Sequence, residues 1–453
     1  MSTETKYMYS EDTIVAIATP NGTGSISIVR LSGVDALNIA LKISKKTNIT
    51  PRYATLSKIY DYKDELIDEA IVIYFQNPSS FTGEDVVEFQ SHGGVAITNI
   101  LLDSCIKYGA RVANPGEFSK RAFLNGKIDL SQAQAISKMI EAKSEESVKL
   151  LARQLKGELK QFVDDIKKDL LFMLAYTEVN IDYAEEDLPT DIYKRIESKL
   201  HKIEIKLKNT LEVSKRRDGL IDGFKVAIIG KPNVGKSSLL NKLLNFNRAI
   251  VSNIAGTTRD TIEESVKIGS HIIKIIDTAG IREASDEIEK IGIEKSKDAI
   301  EDANIIVSLF DNSREFDDED QQILDIINSS DKEKIVIVTK SDLEGKLDKT
   351  KLPNQYIELN TKEDIDIFIK TILQRLDQTV STDQVTLISK QQIQEVSNTL
   401  NEIIKSQTPL QTGELEFFAH HINEALGYIS NITRPYEHSQ MLDVMFGEFC
   451  LGK

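Results

Sequence analysis

Gly230, Gly235, Lys236 and Ser237 stand in the run IIGKPNVGKSS at the spacing G-x-x-x-x-G-K-S, with the apolar run FKVAIIG before it and a helix-type stretch after it. Residues of these types in this order make a phosphate cradle. Glycines let backbone N–H groups close around phosphate oxygens, and Lys236 brings positive charge to the terminal phosphates. Ser237 offers a hydroxyl to Mg²⁺, and the N-terminus of the following helix adds a partial positive charge. Asp277-Thr278-Ala279-Gly280 closes a later apolar run, placing an aspartate near the metal and a backbone N–H near the γ-phosphate. Between the two lies Gly256-Thr257-Thr258-Arg259-Asp260, where Thr258 is the second Mg²⁺ hydroxyl. Thr339-Lys340-Ser341-Asp342 follows the run KIVIV. An aspartate at Asp342 accepts both guanine N–H groups, which adenine lacks, so the expected nucleotide is GTP. Thr339 stands where asparagine is usual, and its shorter side chain is expected to loosen guanine binding. Asn360-Thr361 stands where Ser-Ala would be expected.

Hydrolysis also needs a group that orients water and a charge that stabilises the transition state. Ras-like GTPases place a glutamine directly after DTAG and often use an arginine finger, worth roughly 10³–10⁵ in rate. Here Ile281 follows DTAG, and a branched alkyl group cannot orient water. Asn233 offers a neutral oxygen beside the phosphates, where a monovalent cation could supply the missing positive charge. Backbone oxygens of Ser252 and Ile254, just ahead of GTTRD, would complete a cage for K⁺, an ion well served by uncharged oxygens. Equally, Asn233 could simply cap the loop, and the residues alone leave both readings open.

These groups need elements to position them. DTIVAIATP and SISIVRLSG read as strands joined by Asn21-Gly22-Thr23-Gly24, and EAIVIYFQNP as another, with an amphipathic helix around Ile97 to Lys107. Gly22 and Gly24 do not make a dinucleotide fingerprint, because the third glycine is missing and a strand follows where a helix should. From Leu130 the texture becomes helical. Val148, Leu151, Leu155, Leu159, Phe162, Ile166, Leu170 and Met173 recur at steps of three and four, the pattern of one long helix. A second helix is expected from Ile192 to Val213, and helical spacing resumes after Val380. Between these blocks FKVAIIG, HIIKIIDTAG, NIIVSLFD, KIVIVTKSD and QYIELN alternate with polar or helical stretches, which predicts a parallel sheet wrapped by helices. REFDDED, Arg314 to Asp320, reads as a solvated loop.

A chain of 453 residues is expected to form about two to four domains. Its formal net charge of −15 argues against a broad nucleic-acid grip, so RNA contact is expected through a local patch or a partner. No run has the ~20 apolar residues of a membrane helix, and Met1 to Asp12 lacks the pattern of a signal peptide. Cys105 and Cys450 make no disulfide framework, which points to a reducing cytoplasm. The terminal CLGK has the spacing of a prenylation signal but not its residues. His420 and His421, adjacent on a helix, give no metal site.

Seven blocks, kept in order along essentially the whole chain, resemble the MnmE (TrmE) family of tRNA-modification GTPases. They are DTIVAIATPNGTGSISIVRLSG, SFTGEDVVEFQSHGG, NPGEFSKRAFLNGKIDLSQAQAI, GKPNVGKSSLLN, AGTTRD, IIDTAGIREASDEIEKIGIEKS and FCLGK. The resemblance implies an α+β multidomain fold. Its parts are an N-terminal α/β folate-binding and dimerisation domain (1–126), a helical domain split into 127–217 and 378–453, and an inserted Ras-like P-loop G domain (218–377). It implies a cytoplasmic homodimer with no membrane attachment, and K⁺-dependent pairing of the G domains. With the FAD protein MnmG, in a heterotetramer or larger assembly, it implies attachment of an aminomethyl or carboxymethylaminomethyl group to C5 of wobble uridine in certain tRNAs. The tRNA would be held largely by MnmG, and the one-carbon unit would come from methylene-tetrahydrofolate, for which 5-formyl-tetrahydrofolate is an analogue.

Residue by residue, the resemblance makes Asn233, Ser252, Ile254 and Thr257 the K⁺ ligands, and Ser237 and Thr258 the Mg²⁺ ligands. Asn233, Val234, Gly235, Lys236, Ser237 and Ser238 would bind GTP. So would Ser252, Asn253, Ile254, Ala255, Gly256, Thr257, Thr258, Asp277, Thr278, Ala279, Gly280, Thr339, Lys340 and Asp342. Lys236 and Glu289 would be catalytic, Glu289 replacing the missing glutamine. Arg30, Glu88, Lys127 and Lys453 would line the folate site, the carboxylate for the pterin N–H edge and the cations for the anionic tail. Arg259 and Arg282 are expected to pair with neighbouring acids, and Cys450 to take part in the modification chemistry. A GTP-switched scaffold for ribosome assembly would share the G domain but needs neither FCLGK nor the folate-type N-terminal part.

Overall fold

The computed structural model describes residues 12–20, 22–182, 190–246, 264–276, 299–360, 365–380, 384–435, 446–447 and 449. The chain divides into two compact units. One comprises 1–137, 155–167 and 427–453, and the other 138–154 and 168–426.

The first unit is built on a six-stranded sheet of order β3-β4-β5-β2-β1-β6. Its elements are β1 (Ile14–Ile17), β2 (Ile26–Ser32), α1 (Ala36–Ser44), β3 (Thr55–Tyr60), β4 (Leu66–Phe75) and β5 (Val86–His92). α2 (Val95–Lys107), β6 (Arg111–Val112), α3 (Glu117–Leu124) and the start of α4 (Leu130–Glu141) follow. All neighbours are antiparallel except β1 and β6. Residue alternation explains the strands. In β5, Val87, Phe89 and Ser91 are buried while Glu88 and Gln90 lie on the other face. Ile39, Ala40 and Ile43 of α1 and Leu101 and Cys105 of α2 close the core over Val15, Val29, Leu31, Val72 and Phe89. Burial pushes the Cys105 thiol well above its ordinary pKa, so it serves as a small hydrophobe.

The second unit contains the rest: α5 (Glu145–Leu155), most of α6 (Glu158–Asp182), α7 (Thr190–Arg216), α8 (Asp218–Asp222), β7 (Phe224–Gly230), α9 (Lys236–Phe246), β8 (Glu264–Ile268) and β9 (His271–Ile276). After these come β10 (Ile305–Asp311), α10 (Asp318–Ser329), β11 (Glu333–Thr339), β12 (Tyr356–Leu359), α11 (Asp366–Val380), α12 (Lys390–Thr412) and most of α13 (Leu415–Asn431). The expected single helix through Val148 and Met173 is two, separated at Lys156-Gly157, where Gly157 adopts φ 88°. A left-handed glycine ends a helix. Leu151, Leu159, Ile166, Leu170 and Met173 are buried on the two sides of that break, whereas Val148 is exposed.

A second sheet has the order β12-β11-β10-β7-β9-β8. It is parallel as expected, except that β8 runs antiparallel to β9 at the edge. Two of the five residues of ESVKI, Glu264 and Lys267, are charged, so its sequence carries little strand signal. Every residue of β10 is buried, as in a strand covered on both faces. Away from the sheet, α7 and α12 pack against each other, and Ile196, Leu200, Ile203 and Leu207 of one helix and Val396, Ile403 and Leu410 of the other are buried.

The first unit also buries charge. Arg121 is 3% exposed, and its guanidinium reaches Asp12 at 2.8 Å, Glu117 at 3.0 Å and Glu84 at 3.1 Å. Glu117 further accepts from Arg111 Nη1 and from the Asn114 N–H, both at 2.8 Å. Burial by itself would raise the Glu117 carboxyl, but the bonds from Arg111, Asn114 and Arg121 outweigh it and hold it below its ordinary value of 4.5. Its stabilising contribution is therefore complete above that ordinary value and is lost as pH falls through the lower folded-state value. Acid unfolding monitored by circular dichroism should show this loss. Glu117→Gln should flatten that part of the curve while lowering neutral-pH stability by about 3 kcal/mol.

Candidate active site

The phosphate loop begins where β7 ends. Gly230 has φ 155°, and a Cβ there would sit 2.8 Å from the Leu309 carbonyl oxygen and 2.9 Å from Val234 Cγ1. No larger residue allows the chain to turn beside β10. Val234 is buried and belongs to the same apolar cluster as Leu239, which anchors the middle of the loop. Between them, exposed Asn233 adopts φ 60°. Asparagine tolerates that left-handed backbone better than most residues, so local conformation alone supplies one reason for its presence. Lys236 opens α9, and its Nζ donates to the carbonyls of Gly230 at 2.5 Å and Lys231 at 2.9 Å. A phosphate oxygen, being charged, is the stronger acceptor for that ammonium.

Two ties to the loop escaped sequence reasoning. Lys231 is only 7% exposed and binds Asp317 Oδ2 at 2.7 Å and Asp320 Oδ2 at 2.8 Å. Burial lowers the Lys231 pKa, but the two carboxylates more than offset it and the net shift is upward. REFDDED is thus not just a solvated loop. Asp317 caps α10 and shares a reciprocal capping box with Asp320, which is buried. The D-x-x-D spacing ahead of QQILDII was the available signal.

The second tie is made by Thr339. Its side chain is fully buried, and its hydroxyl lies 2.6 Å from the Val234 carbonyl and 3.1 Å from that of Phe310. With one proton to give, the hydroxyl favours the shorter contact, so Thr339 fastens β11 to the phosphate loop rather than merely shortening a side chain. Lys340, next along, pairs with buried Asp311 at 2.5 Å. Burial raises the Asp311 carboxyl, but bonds from Lys340 and Ser313 overcome it and leave the pKa lowered. Asp342 and Ser237 are exposed, and Gly235 and Ser238 partly so.

Many expected groups lie outside the described residues: Ser252, Asn253, Ile254, Ala255, Gly256, Thr257, Thr258, Arg259, Asp277, Thr278, Ala279, Gly280, Ile281, Arg282, Glu289, Thr361, Cys450 and Lys453. Asn360 directly follows β12.

In the first unit, Arg30 and Glu88 face each other across β2 and β5 and form an ion pair at 2.8 Å. The Arg30 guanidinium also lies 5.8 Å from the centre of the Phe118 ring. Lys127 Nζ donates to the Pro78 carbonyl at 2.7 Å. A segment far along the chain docks in the same unit: Phe446 and Phe449 pack with Phe123, Leu124, Ile128, Leu130 and Ala133. Gly116, at φ 66°, makes room for this, since a Cβ there would lie 2.2 Å from the Phe446 carbonyl oxygen.

Comparison with known proteins accounts for this pairing of an N-terminal unit with a phosphate loop. Residues 13–127 match the GTP-binding protein TrmE N-terminus, and 130–450 match the MnmE helical domain. The chain belongs to the MnmE family of tRNA modification GTPases. A tRNA modification GTPase MnmE from Aliarcobacter butzleri is 68% identical over 447 residues, covering 98% of this chain and 100% of that protein. Those from Sulfurimonas denitrificans and Campylobacter jejuni are 58% and 48% identical, each covering 98% of this chain and 100% of the relative. Among solved structures, Era in complex with MgGDPNP and a stretch of 16S ribosomal RNA is 28% identical. It covers 40% of this chain and 66% of that one, with a TM-score of 0.27. The full-length similarity to MnmE proteins removes the ground for a ribosome-assembly scaffold. GTP, GDP and Mg²⁺ follow from the family, and exposed Ser237 at the start of α9 provides a hydroxyl suited to the ion. No helix among the described residues is long and apolar enough to cross a membrane.

Thr339→Val keeps the shape of the side chain but leaves the Val234 carbonyl without its donor. It should lower stability by about 1–3 kcal/mol and weaken GDP and GTP alike, as read by thermal melting and by fluorescent-nucleotide titration.

Proposed function

We propose that this GTPase works in the cytoplasm as a homodimer with the flavoprotein MnmG, adding an aminomethyl or carboxymethylaminomethyl group to C5 of wobble uridine in tRNA. The observation that carries the reading is the phosphate loop itself, joined in one chain to residues 13–127, which match the TrmE N-terminus. GTP would lie against the loop and α9, with Lys236 exchanging its carbonyl partners for phosphate oxygens. Thr339 and Lys340 would support the guanine side, and Asp342 would accept from the base. The proposed water-positioning acid is Glu289. Mg²⁺ would be held by Ser237 and Thr258.

K⁺ would be bound by Asn233 together with Ser252, Ile254 and Thr257, supplying the charge that an arginine finger brings elsewhere. What supports this is the exposure of Asn233 on the loop. Because its left-handed φ also favours asparagine, the substitution that separates the two roles is Asn233→Gly, which accepts the backbone but has no oxygen. GTP turnover should be much faster in KCl than in NaCl. Asn233→Gly should lose that preference while retaining nucleotide binding, and a retained preference would leave asparagine with a backbone role alone.

The folate would bind at Arg30, Glu88, Lys127 and Lys453, where Cys450 would take part in the chemistry. The Arg30–Glu88 pair supports this by presenting a cation and a carboxylate together, half-buried, on the outer sheet face. That face also carries exposed Ile26, Leu56 and Ile71, the last two directly paired across β3 and β4. Such an apolar surface around the pair supports dimerisation there. Calorimetric titration with 5-formyl-tetrahydrofolate should show binding that Arg30→Ala weakens at least tenfold, consistent with loss of a charge-assisted contact of about 1.5–3 kcal/mol. A flat titration of the unaltered protein would remove the folate site.

A further inference from the structure

The first unit contains a cavity of about 290 Å³ whose wall includes Lys127, Asp129, Lys160, Asp164, Lys167 and Arg434. Four cations thus converge with two carboxylates, a local excess of positive charge in a chain whose net charge is −15. Lys160, Asp164 and Lys167 follow one another at steps of four and three on α6, so they occupy one face of the helix. Arg434 comes from the segment after α13, beside Thr433, whose carbonyl accepts from the Leu130 N–H at 3.1 Å. Three separate stretches of chain are therefore brought together at a basic wall. Among the described residues, Lys160, Lys167 and Arg434 have neither an ion pair nor a side-chain hydrogen bond. Lys127 differs, because its Nζ is already committed to the Pro78 carbonyl.

Asp129 is 6% exposed; its Oδ1 accepts from Ser131 Oγ at 2.6 Å and from the Gln132 N–H at 3.0 Å, while Oδ2 is itself buried and has no hydrogen-bond partner among the described residues. The accessible character of the wall is therefore set by its cations, which suit a group carrying negative oxygens, such as the phosphate of a ribonucleotide.

We infer that this cavity is an RNA contact, at which Lys160, Lys167 and Arg434 hold backbone phosphate of the tRNA. The inference rests on the tRNA-modification reading and adds to it a point of direct grip on this chain. Phosphate contacts position an RNA without reading its sequence, so the site would serve any tRNA of suitable shape. It would also reconcile an acidic protein with a nucleic-acid substrate, because a few converging cations suffice for a local contact.

The test uses the full chain and an unmodified tRNA transcript, with binding followed by fluorescence anisotropy over a series of KCl concentrations. The double variant Lys160→Gln/Lys167→Gln should weaken binding about tenfold near 0.1 M salt. It should also reduce the slope of log affinity against log salt by about 1.4–1.8, the value for two lost phosphate contacts. Arg434→Gln, on a different segment, should reduce the slope by about half as much, which guards against a local defect in α6. GTP turnover, melting temperature and 5-formyl-tetrahydrofolate binding should stay unchanged in these variants. Weakened folate with unchanged tRNA would overturn the inference and assign the cavity to a carboxylate tail. Unchanged binding of both would overturn it by reducing these residues to ordinary surface charge. If the unaltered protein shows no salt-dependent tRNA binding, direct grip on tRNA fails altogether; if it binds and the variants match it, only this cavity fails.

Discussion

The structure depends on a backbone that must keep its N–H groups free for phosphate and therefore cannot be held by ordinary ladder bonds. Between Gly230 and Lys236 the loop is fixed by what surrounds it: Val234 in the apolar core, the Thr339 hydroxyl on the Val234 carbonyl, and Lys231 between two aspartates. Each tie comes from a different element. β10 organises them, since Leu309 pairs with Gly230 on one side and Asp311 with Thr339 on the other. The shape of the site is consequently a property of the parallel sheet.

Charge follows a similar logic. Arg121, Lys231 and Lys340 are each held by carboxylates within the protein, as low-dielectric surroundings demand of an ion. They are structural cations. The converging cations of the first-unit cavity lack such partners among the described residues, which makes them suited to an external anion. An overall charge of −15 therefore conceals two populations of basic residues with different work.

The relation between the ends of the chain and the first unit is also steric. Gly116 has no Cβ because the Phe446 carbonyl occupies that space, and the aromatic pair Phe446 and Phe449 fills the adjoining apolar surface. A segment more than 300 residues away is thereby attached to the N-terminal sheet's own unit. Gly157 provides a contrasting case: its role is local, ending one helix before the next begins.

Much was legible in the residues alone. Alternating apolar runs announced the parallel sheet, and G-x-x-x-x-G-K-S announced its phosphate loop, because both depend on short-range periodicity and on residue types that few other local structures require. The antiparallel β8, the break at Gly157 and the burial of Asp320 were harder to see. Their signals are weak in a single stretch and become decisive only when a partner strand or charge is present. Thr339 is the sharpest instance. By sequence it is a shortened asparagine, but folding brings its hydroxyl to a carbonyl 105 positions earlier. Backbone preference and side-chain type are local, so the principal strands and helices and their phosphate-binding chemistry can be read along the chain. Which carbonyl, carboxylate and cation meet is set by the fold, because hydrogen bonds and ion pairs depend on distances that no spacing along the chain records.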